Sequence, residues 1–99
     1  MILLKVKKLK GLKEKTFGLI FEKKAFPVLI DTRFGIHTFG LRFPIDVLIL
    51  NNSNTVVKMK QGLKPNRIFI WNPIYNKVIE LPKNEIKKRK IKIGATIAT

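Results

Sequence analysis

Short apolar runs that alternate with polar residues fill most of the chain, and turn-forming residues separate them. From Ile2 onward, apolar and basic side chains alternate with a period near two, which predicts a first strand that ends before Gly11. The same segment also fits a helical stripe of apolar residues at positions 3, 6, 9 and 12. A basic amphipathic helix that lies on an anionic membrane surface is therefore the competing interpretation.

After Pro27 the pattern is strand-like, and each apolar run is short and bounded by turn formers. The Asn-rich turn 51–54 predicts a hairpin between the runs on its two sides. Short helices are predicted at 16–24 and at 85–90, the second with Asn84 as its N-cap. The predicted strands cover residues 28–30, 36–41, 45–50, 55–60, 67–71, 75–81 and 91–97.

This succession of short strands predicts a mainly β protein, namely a small antiparallel β-sandwich or barrel with one or two short peripheral helices. At 99 residues the chain has the size of one small domain, so residues 1–99 are expected to form a single domain. Hydrophobic residues make up 45% of the composition, which suits a chain that folds around a modest core.

The sequence also limits the compartment and the chemistry. The chain contains no cysteine, which excludes disulfides, thiolate catalysis and cysteine-based zinc sites. Lys5 interrupts the apolar start, so no signal peptide is predicted. No apolar stretch approaches the roughly 20 residues that a transmembrane helix needs. We therefore expect a cytoplasmic protein without a transmembrane segment.

Positive charge is the strongest compositional feature. The chain has 21 Lys and Arg residues against 6 Asp and Glu residues, which gives a formal net charge of +15. Such a potential attracts polyanions such as nucleic acid or an acidic protein. Alternatively, compositional bias has produced an interchangeable, solvated lysine surface. Adaptation to heat would raise Glu together with Lys, and here Glu is rare, so part of the excess is interpreted as a binding signal.

Many of the basic residues lie near the two ends of the chain. If the terminal strands are neighbours, these clusters merge into one surface that binds polyanions in a salt-sensitive and largely sequence-independent manner. The alternative is that alternating lysines hydrate a strand face and protect a sheet edge from aggregation. The candidate terminal basic patch consists of Lys5, Lys7, Lys87, Lys88, Arg89 and Lys90.

Aromatic residues interleave with arginines and lysines in the second and third quarters of the chain, a mixture that suits base stacking beside phosphate neutralisation. Trp71 and Tyr75 are the candidate stacking residues, and Trp71 is expected to be partly exposed because Asn72-Pro73 follows it. The alternative is that most rings fill the core, since a small sandwich needs large apolar side chains inside.

The segment 34–47 holds the only histidine of the chain and one of its two aspartates. His37, Arg42, Asp46 and Phe39 form a candidate pocket in which Asp46 is a buried carboxylate suited to proton transfer and His37 is a general base. Alternatively, Asp46 accepts backbone N–H bonds or pairs with Arg42, and His37 is a hydrogen-bonded structural residue.

Complete catalytic constellations are missing from the sequence. Glu80 alternates with apolar neighbours, so a solvated edge or a lysine partner is expected for it. It could share a divalent ion with His37 and Asp46 only if the three converged, and no metal site or cofactor is predicted. Ser53 lies in the Asn-rich turn rather than in a strained elbow, and the glycines form no phosphate loop. A non-catalytic role is favoured, and enzymatic activity stays open.

Four separated motifs stand out along the chain: Gly-Leu-Ile-Phe at 18–21, Gly-Ile-His-Thr-Phe at 35–39, Pro-Ile-Asp-Val at 44–47 and Val-Ile-Glu-Leu-Pro at 78–82. In their order and spacing they resemble the domain of unknown function 192 family. The first motif is similar to the family's Gly-Leu-Met helix, the third to its Pro-Ile-Asp signature and the fourth to its Val-Leu-Glu-Leu-Pro strand. The resemblance extends from about Thr16 to Ile97, and it implies a mainly β, sandwich-like fold and no established activity.

The chain departs from the family pattern at two places. Asn84 stands at or near a position where the family usually has Gly, and Gly94-Ala95 replaces a Gly-Asp pair. Any role of that late acid is therefore absent here. Many relatives also carry an export signal, which this chain is expected to lack.

Two functional hypotheses follow from the sequence. The first is a non-catalytic binding or interaction module that presents a basic face, with aromatic contacts, to an anionic partner, either nucleic acid or protein. The second is a small-ligand-binding protein or enzyme with a pocket around His37, Asp46 and Arg42. The sequence alone does not decide between them.

Overall fold

The computed structural model describes residues 1–9, 27–33, 35–39 and 41–99, with the backbone alone for residues 7–9. The helix predicted at 16–24 lies outside the described residues. The described elements are β1 (Ile2–Leu3), β2 (Lys7–Leu9), β3 (Val28–Asp31), β4 (Gly35–His37), β5 (Ile45–Leu50), β6 (Val56–Leu63), β7 (Ile68–Ile70), β8 (Lys77–Pro82), α1 (Glu85–Lys88) and β9 (Ile97–Ala98).

A five-stranded sheet with the order β2-β3-β8-β5-β6 forms the middle of the fold. β2 runs parallel to β3, and the other neighbours in this sheet are antiparallel. Two ribbons flank the sheet: β4 pairs antiparallel with β7, and β1 pairs parallel with β9. The prediction of a mainly β fold is confirmed, and the strands of the described segments form layers rather than a closed barrel.

The central sheet is covered on both faces, so β5 is buried at every position. Because side chains alternate along a strand, successive residues of β5 enter two different cores. The β4–β7 ribbon covers the first core through Ile36 and Phe69, and Ile2 and Ile97 of the β1–β9 ribbon pack in the second. The first core comprises Val28, Ile30, Leu41, Ile45, Val47, Ile49, Leu63, Trp71 and Val78; the second comprises Leu4, Leu48, Leu50, Val56, Ile79, Leu81, Ile86, Ile91 and Ile97.

The predicted hairpin at 51–54 is confirmed, since β5 and β6 pair antiparallel on either side of it. The side chain of Asn51 organises this turn: its Oδ1 accepts hydrogen bonds from the backbone N–H groups of Ser53 and Thr55 at 2.9 and 3.0 Å. Asn54 adopts a positive φ of 60°, which asparagine tolerates better than most residues.

The first segment forms two strands rather than one. β1 pairs with β9 and β2 pairs with β3, and Leu4 between them is fully buried in the second core. The interpretation of this segment as an amphipathic helix is therefore wrong for residues 1–9, because pairing with distant strands outweighs the helical stripe.

Several predicted elements have different bounds in the structure. The strand predicted at 36–41 already ends at His37, and the strand predicted at 91–97 is confined to β9, apart from a bridge between Thr96 and Thr55. The last helix is only α1, and Asn84 does not cap it: this residue has a φ of 74° and makes no side-chain cap hydrogen bond.

No helix in the described segments has the length and apolar character needed to cross a membrane.

Candidate functional site

The terminal basic patch takes residues from both ends of the chain, and the structure makes the terminal strands neighbours through the β1–β9 pairing. Leu4 of the first segment and Ile86 of α1 pack in the same core, so both segments lie over the same face of the central sheet. Lys5, Lys87, Lys88, Arg89 and Lys90 have exposed side chains, and Lys7 contributes its backbone to β2.

Acidic side chains in the described segments offset little of this positive charge. Asp46 and Glu80 are buried, with 1% and 6% exposure. Glu85 forms an ion pair with Arg89, in which Nε of Arg89 lies 2.8 Å from Oε2 of Glu85. Asp31 accepts a hydrogen bond from Nδ2 of Asn76 at 2.7 Å. The carboxylates of Asp46 and Glu80 are therefore withdrawn from the surface, whereas Glu85 neutralises Arg89, one of the cations of the patch.

Asp46 is placed on β5 with its carboxylate on the face of the second core. Oδ1 accepts a hydrogen bond from the Gly62 N–H at 2.9 Å, and Oδ2 accepts one from the Ile86 N–H at 3.0 Å. Gly62 sits in β6 with a positive φ of 63°, and Ile86 lies in the first turn of α1. One carboxylate therefore joins an irregular point of the sheet to the start of the helix and supplies the cap that Asn84 does not.

His37 belongs to the β4–β7 ribbon on the other side of the central sheet. Its neighbour Ile36 packs against the first core, so alternation directs the imidazole away from that core. The buried Nδ1 has no hydrogen-bond partner among the described residues. Arg42 is exposed. The structure thus places His37 and the Asp46 carboxylate on opposite faces of the sheet instead of in one pocket.

Glu80 occupies the middle of β8 and faces the first core. Its register partners are Val28 on β3 and Val47 on β5, and both valines are fully buried. The expected solvated edge is wrong, because β8 is an interior strand with both faces covered. Burial raises the pKa of Glu80 from 4.5 to about 7, since desolvation penalises the ionised carboxylate.

Metal coordination finds no support in this arrangement. Among the side chains that the structure describes, no three His, Asp or Glu residues come close enough to hold an ion. His37, Asp46 and Glu80 are accordingly not brought together.

Trp71 is buried rather than partly exposed, with 6% exposure, and belongs to the first core. Its indole Nε1–H donates a hydrogen bond to the Tyr75 carbonyl oxygen at 2.8 Å, so the polar edge of the ring is satisfied inside the fold. Tyr75 also packs against the first core. Neither candidate stacking residue presents a fully open ring. Phe39 is the more exposed aromatic residue, at 48%.

Phe39 and His37 form a stacked pair, called here the aromatic pair. Their ring centroids lie 5.2 Å apart and the ring planes are inclined by 25°. The residue between them, Thr38, is fully buried. The sequence pattern predicted a pocket that contains His37 and Phe39 together with Asp46. In the structure, exposed and buried side chains alternate around Thr38, so His37 and Phe39 face outward on the same side.

Thr38 ties the aromatic pair to the loop that leads into β7. Its Oγ1 donates a hydrogen bond to the Lys64 carbonyl oxygen at 2.7 Å and accepts one from the Arg67 N–H at 2.8 Å. Its own backbone N–H donates to the Arg67 carbonyl oxygen at 2.9 Å. Sequence analysis assigned no role to Thr38, and a polar side chain amid apolar strand residues was the available signal.

We expect Thr38→Val to lower the free energy of unfolding by about 1–3 kcal/mol, because the Lys64 carbonyl and the Arg67 N–H lose their hydroxyl partner while the side-chain volume is kept. Urea denaturation measures the loss. Thr38→Ser keeps the hydroxyl and serves as the control, with a smaller expected loss. Unchanged stability of Thr38→Val, or a larger loss in Thr38→Ser, would show that packing of the methyl group and not hydrogen bonding of the hydroxyl stabilises this position.

A groove with a volume of about 460 Å³ opens beside this loop. Lys60, Lys64 and Arg67 provide its positive charge, and Leu63, Ile68 and Phe69 provide apolar wall. The three cations are exposed. The three cations lie within residues 60–67, but the sequence pattern grouped only Arg67 with the aromatic residues, because it does not show which side chains face one groove.

The fold and its site define a small, layered, mainly β protein with exposed cations. The chain belongs to the domain of unknown function 192 family, described as an uncharacterised ACR, whose model matches residues 6–99. This confirms the resemblance drawn from the four motifs. No curated protein sequence shows significant similarity to the chain.

Two solved structures share the fold. A protein from Sinorhizobium meliloti 1021, provisionally assigned as a transcription regulator, superposes with a TM-score of 0.82 at 18% identity, over 92% of this chain and 78% of that one. A protein of unknown function from Novosphingobium aromaticivorans DSM 12444 has a TM-score of 0.79 at 13% identity, over 92% of this chain and 71% of that one. At these identities the likeness concerns the fold alone.

Proposed function

We propose that the protein is a non-catalytic binding module that attaches to an anionic partner, either nucleic acid or an acidic protein, through the terminal basic patch. The observation that supports this most directly is the β1–β9 pairing, which joins the two ends of the chain over one core. Cations that are far apart in sequence thereby border the same layer of the fold.

The distribution of acidic groups also supports the proposal. Two of the acidic groups in the described segments are buried, and Glu85 is already paired with Arg89. A polyanion that approaches the patch meets cations with few competing carboxylates. Binding of this kind releases counterions, so its affinity falls steeply as salt rises and depends little on sequence.

Neutralising two lysines of the patch tests this function. Lys87→Ala together with Lys88→Ala should weaken binding of a fluorescent 20-base-pair duplex DNA roughly tenfold near 0.15 M salt and lower the salt slope by about two. Both side chains are exposed, so stability should change little. Fluorescence anisotropy across a salt series measures both quantities.

A matched control separates the patch from net charge. Asn72→Asp with Ile74→Glu also removes two units of positive charge, at exposed positions outside the patch. We expect it to change affinity less than twofold. If both double variants lose affinity equally, the protein attracts polyanions only through its overall charge, and the patch has no particular role. A polyglutamate competitor that displaces the DNA as well as unlabelled DNA does would identify the acidic protein as the partner class.

The geometry offers no specific support for the alternative pocket, because the Asp46 carboxylate already accepts two backbone hydrogen bonds on the face away from His37.

A further inference from the structure

The aromatic pair and the groove adjoin each other because Thr38 binds both segments together. His37 and Phe39 flank Thr38 in the chain. The Thr38 hydroxyl donates a hydrogen bond to the Lys64 carbonyl oxygen and accepts one from the Arg67 N–H. His37 is also the register partner of Ile68, which lines the groove. The aromatic pair therefore lies next to the groove, which is lined by three cations.

We infer that the aromatic pair and the groove form one site for a single-stranded polynucleotide, RNA or DNA. Bases stack on the open face of Phe39, and phosphates contact Lys60, Lys64 and Arg67. This inference rests on the proposed function, since it takes nucleic acid as the anionic partner, and it adds a second site that is separate from the terminal basic patch.

Phe39 has the geometry that base stacking requires. The His37 ring stacks against it at 5.2 Å and supports it from one side, and 48% of the residue remains exposed. Stacking on an aromatic side chain stabilises a bound base whatever its identity, because every base has a π face. The bases of a duplex are already stacked and paired, so they cannot offer a face to Phe39 without unpairing.

The groove supplies the complementary charge. Its three cations belong to β6 and to the loop before β7, and none of the described residues that line it is acidic. A volume of about 460 Å³ lies within the roughly 300–1,000 Å³ typical of small-ligand sites, so it suits a short part of a flexible strand. An acidic peptide would satisfy the cations but would leave the exposed ring without a flat partner.

The test compares three probes near 0.15 M salt by fluorescence anisotropy: a labelled U12 RNA, a labelled dT12 DNA and a labelled 12-base-pair duplex DNA. Phe39→Ala should weaken binding of at least one single strand roughly tenfold, with an unchanged salt slope. It should leave duplex binding unchanged. The two single-stranded probes distinguish RNA from DNA as the source of the ligand.

Two variants separate stacking from folding and from general apolar contact. Phe39→Trp keeps an aromatic ring and should restore the affinity for the single strand. Ile74→Ala removes another exposed apolar side chain away from the groove and should have no effect. Lys64→Ala with Arg67→Ala should also weaken single-strand binding, but with a salt slope reduced by about 1.4.

Several outcomes would overturn the inference. These are an unchanged affinity of Phe39→Ala, an equal loss for single strand and duplex, or failure of Phe39→Trp to restore binding. Displacement of U12 by polyglutamate as effective as displacement by unlabelled U12 would instead identify an acidic peptide as the ligand. If Phe39→Ala has no effect while the terminal-patch variant loses affinity, this inference fails and the proposed function stands; if neither has an effect, both fail.

Discussion

Glu80→Gln should stabilise the protein by about 3 kcal/mol at pH 8 and change its stability little at pH 4. Burial raises the pKa of Glu80 from 4.5 to about 7, so the folded state holds this proton more tightly than the unfolded state does. Each unit of such a difference corresponds to about 1.4 kcal/mol of stability. Glutamine resembles the protonated acid in shape and never ionises.

The direction of the pH dependence follows because the pKa of Glu80 is higher in the folded state than in the unfolded state. Well below 4.5 the carboxyl is protonated in both states, so its ionisation makes no contribution to the pH dependence of stability. Between 4.5 and about 7 the unfolded chain loses the proton first, so wild-type stability falls as the pH rises. Above about 7 the folded state must hold an ionised carboxylate between Val28 and Val47, and the full cost applies.

Urea denaturation at pH 4, 6 and 8 measures this difference between wild type and variant. Glu85→Gln is the control, because Glu85 lies at the surface in a pair with Arg89, and its removal should change stability by less than about 1 kcal/mol at any of these pH values. If wild type and Glu80→Gln differ equally at pH 4 and pH 8, the ionised Glu80 carboxylate is well solvated and the burial argument is incorrect.

Asp46→Ala should lower the free energy of unfolding by about 3 kcal/mol. The change leaves the N–H groups of Gly62 and Ile86 without an acceptor in a region that excludes water, since Asp46 is 1% exposed. Hydrogen bonds to charged groups contribute about 1.5–3 kcal/mol each, and unsatisfied buried donors are costly. Asp46→Asn keeps one acceptor oxygen and should lose about half as much.

Hydrogen exchange locates the effect, because the Gly62 and Ile86 amides should lose protection before amides in the centre of β5 do. Asp31→Ala removes the other aspartate, which is exposed and bonded to Asn76, and should cost less than about 1 kcal/mol. Similar losses in Asp46→Ala and Asp31→Ala would contradict the structural role. A variant of Asp46 that stays folded but loses ligand binding would revive the pocket hypothesis.

For these two carboxylates, Glu80 and Asp46, the sequence pattern predicted only part of the structural environment. Alternation correctly put Glu80 on the face opposite Ile79 and Leu81, but it did not show that this face is buried as well. For Asp46, acceptance of backbone N–H bonds was one of two open alternatives, and its partners lie 16 and 40 residues away. Such partners follow from strand order, which local pattern does not specify.

The amino-acid sequence by itself determined the mainly β class, the β5–β6 hairpin and the family, because strand period, Asn-rich turn chemistry and ordered motifs are local properties. Tertiary structure alone decided the pairing of β1 with β9, the burial of Trp71 and the separation of His37 from Asp46. It also decided that Lys60, Lys64 and Arg67 line one groove beside the loop that Thr38 binds. Each of these features depends on which strands become neighbours. The strand order follows from the need to bury both faces of the central sheet at the same time.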